Sequence, residues 1–391
     1  MTKKSDAPAI RFKGFSDAWE QRKLGEIGSV SMCRRIFKEQ TSETGDIPFY
    51  KIGTFGAEPD AFISRELFEQ YKSKYPYPQK GDILISASGS IGRTVEFAGN
   101  NEYFQDSNIV WLKHDERLSN PFLKCFYSVV KWAGIEGSTI KRLYNDNILN
   151  TVICMPSVPE QERIGVFFEN LDHLITLHQR KFEKLTNVKK SMLEKMFPQN
   201  GSSYPEIRFK GFTDPWEQRK FEEIAVRSSV ICSDDTLPRV EYEDIVSGTG
   251  RFNKDIYAKQ SSKSGIAFHQ GDVLYGKLRP YLQNWLLPTF DGLAVGDFWV
   301  LQPQNADSSF LYRLIQSRQF DKVANQSTGT KMPRADWKLV SKTVFSIPSN
   351  ISEQAAIGTY FTALDSLITL HQRELEKLQN IKKSMLEKMF V

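Results

Sequence analysis

The stretch that decides the fold is PEQERIGVFFENLDHLITLHQRKFEKLTNVKKSMLEKMF at residues 159–197, which returns as SEQAAIGTYFTALDSLITLHQRELEKLQNIKKSMLEKMF at residues 352–390. The two copies are identical at 27 of 39 positions. A second pair, RFKGFSDAWEQRKLGEI at residues 11–27 and RFKGFTDPWEQRKFEEI at residues 208–224, is identical at 13 of 17 positions. A period of about 190 residues is far longer than the roughly 20–50 residues of a solenoid repeat, so each copy is predicted to be a domain with an appendage.

Both copies of the long stretch have the apolar spacing of a helix. Apolar residues recur at steps of three and four, which is typical of a coiled-coil seam. The predicted seam positions are Ile164, Phe168, Leu171, Ile175, His178, Phe182, Leu185, Met192 and Met196, and in the second copy Ile357, Phe361, Leu364, Ile368, His371, Leu375, Leu378, Met385 and Met389. Ser157-x-x-Glu160 and Asn350-x-x-Glu353 resemble capping boxes. At about 1.5 Å per residue, the first helix would extend roughly 57 Å.

The segments between the repeated ends predict two strand-rich heads. Short β-branched or aromatic runs bounded by Gly or Asn are typical of strands. Strands are predicted at 82–86, 108–112, 272–275 and 297–301, and helices at 122–132 and 310–320. The second long helix packs beside the first most simply by running back, so the two are predicted to be antiparallel, with the halves related by a pseudo-two-fold axis.

The predicted fold class is therefore α+β, with two strand-rich globular domains joined by two long antiparallel coiled-coil helices. The predicted boundaries are 1–155 for the first globular domain, 156–198 for the central helix, 199–347 for the second globular domain and 348–391 for the C-terminal helix.

The repeat also suggests what the parts do. Residues 28–155 and 225–347 have diverged so far that only short anchors align, chiefly GDIL at residue 81 and GDVL at residue 271. Repeated ends with divergent middles predict one kind of partner bound twice and two different ligands bound once each. The candidate partner-binding residues on the helices are Gln179, Arg180, Lys189, Lys190, Gln372, Arg373, Lys382 and Lys383. The alternative is that the ends merely hold the fold while the middles drifted.

The composition argues against a membrane protein and against an exported one. Lys and Arg number 52 against 47 acidic residues, so the net charge of +5 is only mildly basic. No apolar run approaches the roughly 18–20 residues of a membrane span, and residues 1–11 contain no apolar signal core. The four cysteines form no C-x-x-C pair. We therefore expect a cytoplasmic protein with reduced cysteines.

One string suggests a nucleotide-binding enzyme. GDVLYGK at residues 271–277 matches G-x-x-x-x-G-K, but Leu278 stands where a P-loop needs Ser or Thr for magnesium. The intervening Val273-Leu-Tyr is strand-like, and the aligned first copy at residues 81–86 reads GDILIS. The five histidines form no H-E-x-x-H motif. We therefore predict no catalytic site, no metal site and no cofactor for this chain itself.

Basic residues mixed with amides and hydroxyls in loops are the candidates for nucleic-acid binding. GSTIKRLYN at residues 137–145 aligns with STGTKMPR at 327–334, and SASGSIGR at 86–93 aligns with GKLRPYL at 276–282. Lysine can hold phosphates, while arginine and amide side chains can address base edges in the major groove. The candidate DNA-binding residues are Arg34, Arg35, Ser88, Arg93, Lys141, Arg142, Asn145, Lys277, Arg279, Lys331 and Arg334. The alternative for each is ordinary solvated surface charge.

The ordered set of motifs resembles a known family. W-E-Q-R-K opens each half at Trp19 and Trp216, G-D-I-L or G-D-V-L follows, and a long helix ending K-K-S-M-L-E-K-M-F closes each half. In this order the motifs make the chain similar to the DNA-specificity (S) subunits of type I restriction-modification systems, over essentially its whole length.

The resemblance implies a non-catalytic subunit with two target recognition domains, each reading one half of a bipartite, asymmetric sequence in double-stranded DNA. It implies that two modification (methyltransferase) subunits dock on the repeated regions and bring S-adenosylmethionine for adenine methylation. It also implies restriction subunits that use ATP and magnesium for translocation and cleavage. No base-contact motif transfers from the family, so the candidate DNA-binding residues rest on charge and loop placement.

Two alternatives from other classes stay open at this point. The P-loop-like string would suit an autonomous DNA-modifying enzyme, which turns over without partner subunits. The modest net charge would suit a protein-only adaptor, which binds no DNA sequence selectively.

Overall fold

The computed structural model describes residues 8–134, 141–199, 201–258, 261–326 and 332–390. The chain forms two compact units. Unit 1 comprises residues up to 178 and from 374 onwards, and unit 2 comprises residues 179–373. Each unit therefore combines one head with a part of both long helices.

The head of unit 1 is built mainly from short strands. Its strands are β1 (Glu20–Lys23), β2 (Gly28–Ser31), β3 (Ile47–Tyr50), β4 (Phe62–Ile63), β5 (Ile83–Ser86), β6 (Thr94–Glu96), β7 (Tyr103–Phe104), β8 (Ile109–His114) and β9 (Val152–Met155). Its helices are α1 (Arg65–Lys74), α2 (Asn120–Val129) and α3 (Asn145–Leu149). The central sheet has the order β2-β8-β5-β6, and a smaller sheet has the order β4-β3-β7 with β3 and β7 parallel. β1 pairs with β9.

The head of unit 2 repeats this arrangement after the first long helix, α4 (Val158–Lys195). Its strands are β10 (Glu217–Lys220), β11 (Ala225–Ser228), β12 (Ile231–Cys232), β13 (Arg239–Glu241), β14 (Ile245–Val246), β15 (Arg251–Phe252), β16 (Gly265–Phe268), β17 (Val273–Gly276), β18 (Trp285–Leu286), β19 (Gly292–Val295), β20 (Phe298–Pro303) and β21 (Val344–Ile347). Its helices are α5 (Phe221–Ile224), α6 (Ser308–Leu314), α7 (Arg318–Ala324) and α8 (Trp337–Lys342), followed by the second long helix, α9 (Ile351–Met389).

The central sheets of the two units match strand by strand, whereas the second sheets share a parallel strand pair but differ in the number and order of their other strands. The central sheet has the order β11-β20-β17-β18, and the second sheet has the order β12-β16-β19-β13 with β13 and β19 parallel. β10 pairs with β21 as β1 pairs with β9. The internal repeat in the sequence is therefore a repeat of fold, including the heads whose sequences have diverged.

The four strands predicted for the heads are confirmed as β5, β8, β17 and β20. All four residues of β5 and of β17 are buried, which explains why these strands are continuous apolar runs instead of alternating ones. The helix predicted at 122–132 is present as α2, which spans Asn120–Val129, but the single helix predicted at 310–320 is wrong. Ser317 interrupts it, because its hydroxyl accepts a hydrogen bond from the Phe320 N–H and starts α7 as an N-cap.

The two long helices are confirmed, and within unit 1 their segments are antiparallel. Phe168 of α4 lies 6.5 Å from the ring of Phe390, and Asp172, one turn further along α4, pairs with Lys382, two turns earlier in the chain. Predicted seam residues are buried in both units: Ile164, Phe168, Leu171 and Met389 in unit 1, and Met196, Ile357, Phe361 and Leu364 in unit 2.

The glutamates of the two suggested capping boxes have a different role. In unit 1, the Arg11 guanidinium donates through Nε and Nη2 to both carboxylate oxygens of Glu160, at 2.6 and 2.7 Å. In unit 2, Arg208 donates to Glu353 in the same way, at 2.7 and 2.8 Å. Both glutamates are buried, so each pair fastens the first segment of a head to the start of a long helix. We call this arginine–glutamate pair the clamp.

Candidate nucleic-acid interface

In unit 1, the two loops that contain most of the candidate DNA-binding residues meet beside the start of β8. The Ala87 N–H donates to the Asn108 carbonyl at 2.7 Å, and the Leu143 N–H donates to the Ala87 carbonyl at 2.8 Å. Ser88 and Arg142 form an antiparallel β-bridge. The backbone therefore brings Ser88 and Arg142 together, although 54 residues separate them in the sequence.

Unit 2 contains the same backbone arrangement beside the start of β20. The Lys277 N–H donates to the Asp297 carbonyl and the Ala335 N–H donates to the Lys277 carbonyl, both at 2.8 Å. Leu278 and Arg334 form the matching β-bridge. We call this pattern the reader frame: residues 87, 108 and 143 with their neighbours in unit 1, and residues 277, 297 and 335 with theirs in unit 2.

The reader frame corrects one detail of the sequence alignment. The alignment places Lys331 opposite Lys141 and therefore Met332 opposite Arg142, whereas the β-bridges match Arg142 with Arg334. Lys331 lies outside the described residues. Lys141 is exposed next to Arg142.

The side chains of the frame in unit 1 gather around the loop that precedes β8. The Ser88 hydroxyl donates to Asn108 Oδ1 at 2.7 Å, and Arg142 Nη2 lies 3.4 Å from the same oxygen. Arg35 Nε donates to Asp106 Oδ2 at 2.9 Å. Arg35, Ser88 and Arg142, far apart in sequence, are therefore held by residues of one short loop.

In unit 2 a carboxylate occupies the position of the Asn108 amide. Arg334 donates to Asp297 through Nη2 at 3.1 Å and through Nε at 3.3 Å, and Lys277 Nζ lies 3.6 Å from Asp297 Oδ1. The hydrogen bond from Arg334 is the main reason why the pKa of the Asp297 carboxyl is lowered, so this group is charged at neutral pH. The unit 2 frame therefore contains an ion triplet.

Arg279 has a strained backbone close to this triplet. Its φ is 48°, in the left-handed region, which costs a non-glycine residue about 1–2 kcal/mol. Its N–H donates to the Pro333 carbonyl at 2.7 Å. Its Nε is buried and has no hydrogen-bond partner in the part of the chain that the structure describes. Arg279 therefore combines a strained backbone with a buried nitrogen that has no partner among the described residues.

The remaining candidates of unit 1 lie in separate surroundings. The Arg34 guanidinium lies 5.3 Å from the ring centre of Tyr75, a cation–π distance. Arg93 Nη1 donates to the Phe55 carbonyl at 2.6 Å, so part of its guanidinium already has an internal partner. Asn145 is the first residue of α3 and is exposed.

Two residues of the reader frame were missed from the sequence. The sequence pattern identifies Asn108 and Asp297 only as the first residues of two predicted strands. Their position immediately before equivalent central strands is a signal that could have identified them, because side chains at strand ends of two aligned heads lie at matching places. An amide at this position in the first copy and a carboxylate in the second would then have indicated that the two heads differ in charge there.

Some of the candidate partner-binding residues on the helices have internal contacts. Lys189 pairs with Asp365 at 2.6 Å, and Lys382 pairs with Asp172. Gln372 accepts a hydrogen bond from Arg251 at 2.6 Å. Four others are exposed along the helices: Arg180, Lys190, Arg373 and Lys383. Gln179 is also exposed and donates to Glu183, one turn away.

Beside these polar residues, both long helices have exposed leucines at equivalent positions. Leu174 and Leu177 of α4 are 40% and 39% exposed, and Leu367 and Leu370 of α9 are 44% and 51% exposed. Residues three apart share one face of a helix, so each pair forms a small apolar patch. These leucines do not stand out in the sequence, because they lie outside the seam positions.

The P-loop-like string does not form a phosphate-binding loop in the structure. Its central residues form the buried strand β17 instead. Within the described ranges, no group of three or more His, Cys, Asp or Glu side chains could hold a metal ion. No helix among the described residues is long and apolar enough to cross a membrane.

Comparison with known proteins gives consistent results. A type I restriction enzyme specificity subunit of Haemophilus influenzae is 58% identical over 165 residues, which span 42% of this chain and 40% of that protein. The type I restriction enzyme MjaVIII specificity subunit of Methanocaldococcus jannaschii is 23% identical over 78% of this chain and 74% of its own length. The crystal structure of the S subunit of a type I restriction-modification system from M. genitalium has the same fold, with a TM-score of 0.64 at 14% identity, covering 98% of this chain and 99% of that one.

The profile of the type I restriction modification DNA specificity domain matches residues 16–187 and 241–380, one match in each half of the chain. These ranges include most of both heads and of both long helices. The chain therefore belongs to the type I restriction-modification DNA specificity family.

Proposed function

We propose that this chain is the non-catalytic specificity subunit of a type I restriction-modification complex and reads a bipartite, asymmetric DNA sequence. One observation carries the proposal: the reader frame occurs once in each head with the same backbone and different side chains. Two equivalent frames with different chemistry suit two half-sites of different sequence. The recognition domains would occupy about residues 1–155 and 199–347.

The candidate DNA-binding residues would have two roles, contact with phosphates and contact with base edges. Lysines such as Lys141 and Lys277 would contact phosphates, which gives affinity without sequence information. Arginines such as Arg142 and Arg334, with Ser88 and amide side chains, would address base edges. Arg34, Arg35, Arg93, Asn145 and Arg279 complete the proposed surface, and Lys331 is proposed as a DNA-binding residue from the sequence alone.

The long helices would bind two methyltransferase subunits, one for each copy of the repeat. The equivalent exposed pairs Leu174/Leu177 and Leu367/Leu370 support a dock that is used twice, because apolar side chains surrounded by polar ones are typical of protein-binding patches. The exposed polar candidates on α4 and α9 would form the rim of these docks.

Catalysis would belong to the partners. The methyltransferase subunits would supply S-adenosylmethionine for adenine methylation, and restriction subunits would supply the ATP- and magnesium-dependent steps. The names of the relatives support this assignment, since both are specificity subunits of type I restriction enzymes. A subunit that reads cellular DNA in this way would work in the cytoplasm.

The experiment is to produce the full chain with its methyltransferase subunit and to sequence the methylated adenines in DNA that the complex has modified. We expect methylation only within one bipartite sequence, and only when both proteins are present. Turnover of S-adenosylmethionine by the chain alone would instead indicate an autonomous enzyme. Methylation without sequence preference would indicate a protein-only adaptor.

A further inference from the structure

The two reader frames differ in how each holds its central arginine. Arg142 and Arg334 occupy equivalent positions, because each forms the β-bridge of its frame. Both side chains are exposed. Each reaches toward the residue that precedes the central strand, which is Asn108 in unit 1 and Asp297 in unit 2.

The contact is longer and involves fewer atoms in unit 1 than in unit 2. Arg142 is 3.4 Å from Asn108 through a single nitrogen, and that amide oxygen already accepts the closer hydrogen bond from Ser88. Arg334 meets both oxygens of Asp297, through two nitrogens. A bidentate arginine–carboxylate pair is one of the stronger hydrogen-bonded contacts in proteins, whereas a long bond to a neutral amide is among the weaker.

A second substitution accompanies this difference. The position of Lys277, which also faces Asp297, is Ala87 in unit 1. Unit 1 therefore combines one cation with a neutral amide, and unit 2 combines two cations with one carboxylate. The formal charge of both sets is +1, yet among the described residues of the two frames only Arg142 has no carboxylate partner.

We propose that Asn108 and Asp297 are positioning residues that decide whether the arginine of each frame is available to DNA. The proposal rests on the proposed function. Because the contact with the neutral Asn108 amide is long, the Arg142 guanidinium can turn its N–H donors toward a guanine edge or a phosphate. The Asp297 carboxylate holds the Arg334 guanidinium in one orientation. Its contact with Lys277 also restricts the position of that ammonium group.

The two halves of the DNA sequence are therefore expected to be read differently. We call the half that the head of unit 1 binds half-site 1, and the half that the head of unit 2 binds half-site 2. Arg142 needs only to give up a long hydrogen bond to bind DNA, so half-site 1 depends on a bidentate contact from this arginine. Arg334 is held by a carboxylate, so it addresses base edges of half-site 2 only in the orientation that Asp297 sets, and DNA that needs another orientation of Arg334 is excluded. Exchange of the amide and the carboxylate between the frames is therefore expected to exchange these properties.

The test uses the isosteric variants Asn108→Asp and Asp297→Asn in the complex with the methyltransferase subunit. We expect Asn108→Asp to hold Arg142 and to weaken binding of the cognate duplex about tenfold or more, with selectivity lost only in half-site 1. We expect Asp297→Asn to free two cations, which increases the slope of log affinity against log salt by about one to two and relaxes only half-site 2. Asp297→Glu is expected to restore most of the selectivity that Asp297→Asn loses.

The design separates a local effect from misfolding and from a failure of the proposed function. In each variant the unaltered half-site shows that the other head and the assembly are intact, and an unchanged thermal unfolding curve of the variant chain shows that the altered head still folds. Glu222→Gln removes one exposed negative charge from the head that contains Asp297 without touching the frame. Unchanged affinity, salt slope and methylated sequence in both isosteric variants would overturn the positioning role. A wild-type complex that methylates without sequence preference would overturn the proposed function itself.

Discussion

The clamp and the reader frame each occur once per unit, but only the clamp keeps the same side chains. The Arg11–Glu160 and Arg208–Glu353 pairs agree within 0.1 Å at both contacts. The frames share their backbone hydrogen bonds, yet an amide in one stands where a carboxylate stands in the other. The clamp, which attaches each head to a long helix, thus lies in the part of the sequence that is repeated. The reader frame lies in the divergent part, where the backbone is the same in both heads and the side chains differ.

The largest effect is expected from breaking a clamp. Glu353→Ala would leave Arg208 in a largely buried position without its carboxylate, and would also remove the acceptor of the Trp216 indole N–H at 3.2 Å. Removing one partner of a buried pair typically costs about 3–5 kcal/mol. We expect a loss of this size in the free energy of unfolding, measured by urea denaturation followed by far-UV circular dichroism.

A surface pair in the same unit provides the control for this prediction. Arg219 and Glu217 form an exposed ion pair, and Glu217→Gln is expected to cost less than about 1 kcal/mol. Equal losses in the two variants would show that the clamp has no special role.

The second-largest effect is expected from a change in the buried face of the long helices α4 and α9. Leu364 is buried in unit 2, so Leu364→Asp would place an unpaired charge in an apolar cluster. We expect a loss of about 3 kcal/mol in unfolding free energy and weaker co-purification with the methyltransferase subunit. Leu171→Asp is the equivalent change in unit 1. Unchanged co-purification in both variants would contradict the predicted seam.

A smaller effect is expected from the exposed leucines, which separate docking from folding. The double variant Leu174→Gln/Leu177→Gln changes side chains that already face solvent, so the unfolding free energy should change by less than about 0.5 kcal/mol. Loss of apolar anchors should nevertheless weaken binding of one methyltransferase subunit about tenfold to a hundredfold. Native mass spectrometry would detect a complex with one such subunit instead of two. Retention of two subunits in this variant and in Leu367→Gln/Leu370→Gln would reject the proposed docks.

The smallest effect concerns a single phosphate contact. Lys141→Gln is expected to weaken DNA binding uniformly across sequences and to reduce the salt slope by about one, while the methylated sequence stays the same. Fluorescence anisotropy at several salt concentrations would measure both quantities. A change in the methylated bases would mean that Lys141 reads sequence instead of holding a phosphate.

The repeat made the architecture predictable from the sequence. The 27 identities between the long stretches, with apolar steps of three and four, were sufficient to predict both helices, and the buried runs at residues 82–86 and 272–275 predicted central strands. The break at Ser317 was not predicted, because a serine can lie inside a helix as well as cap one, and here its hydrogen bond with the Phe320 N–H starts a new helix.

The candidate site was predictable only in part. Basic loops could be listed from charge and glycine content, but the sequence does not show that Ala87, Asn108 and Leu143 share hydrogen bonds, since these contacts connect residues far apart in the chain. The role of Glu160 was also missed, because its partner Arg11 lies 149 residues away. Long-range pairing of polar groups, in contrast to periodicity, leaves no local pattern.

The most direct test of the account replaces residues 28–155 with the corresponding segment of another family member and sequences the adenines that the assembled complex methylates. Because each head contains its own reader frame, the account predicts that one half of the bipartite sequence changes and the other half stays as in the wild type. Altered bases in both halves would contradict the claim that the two heads read DNA independently.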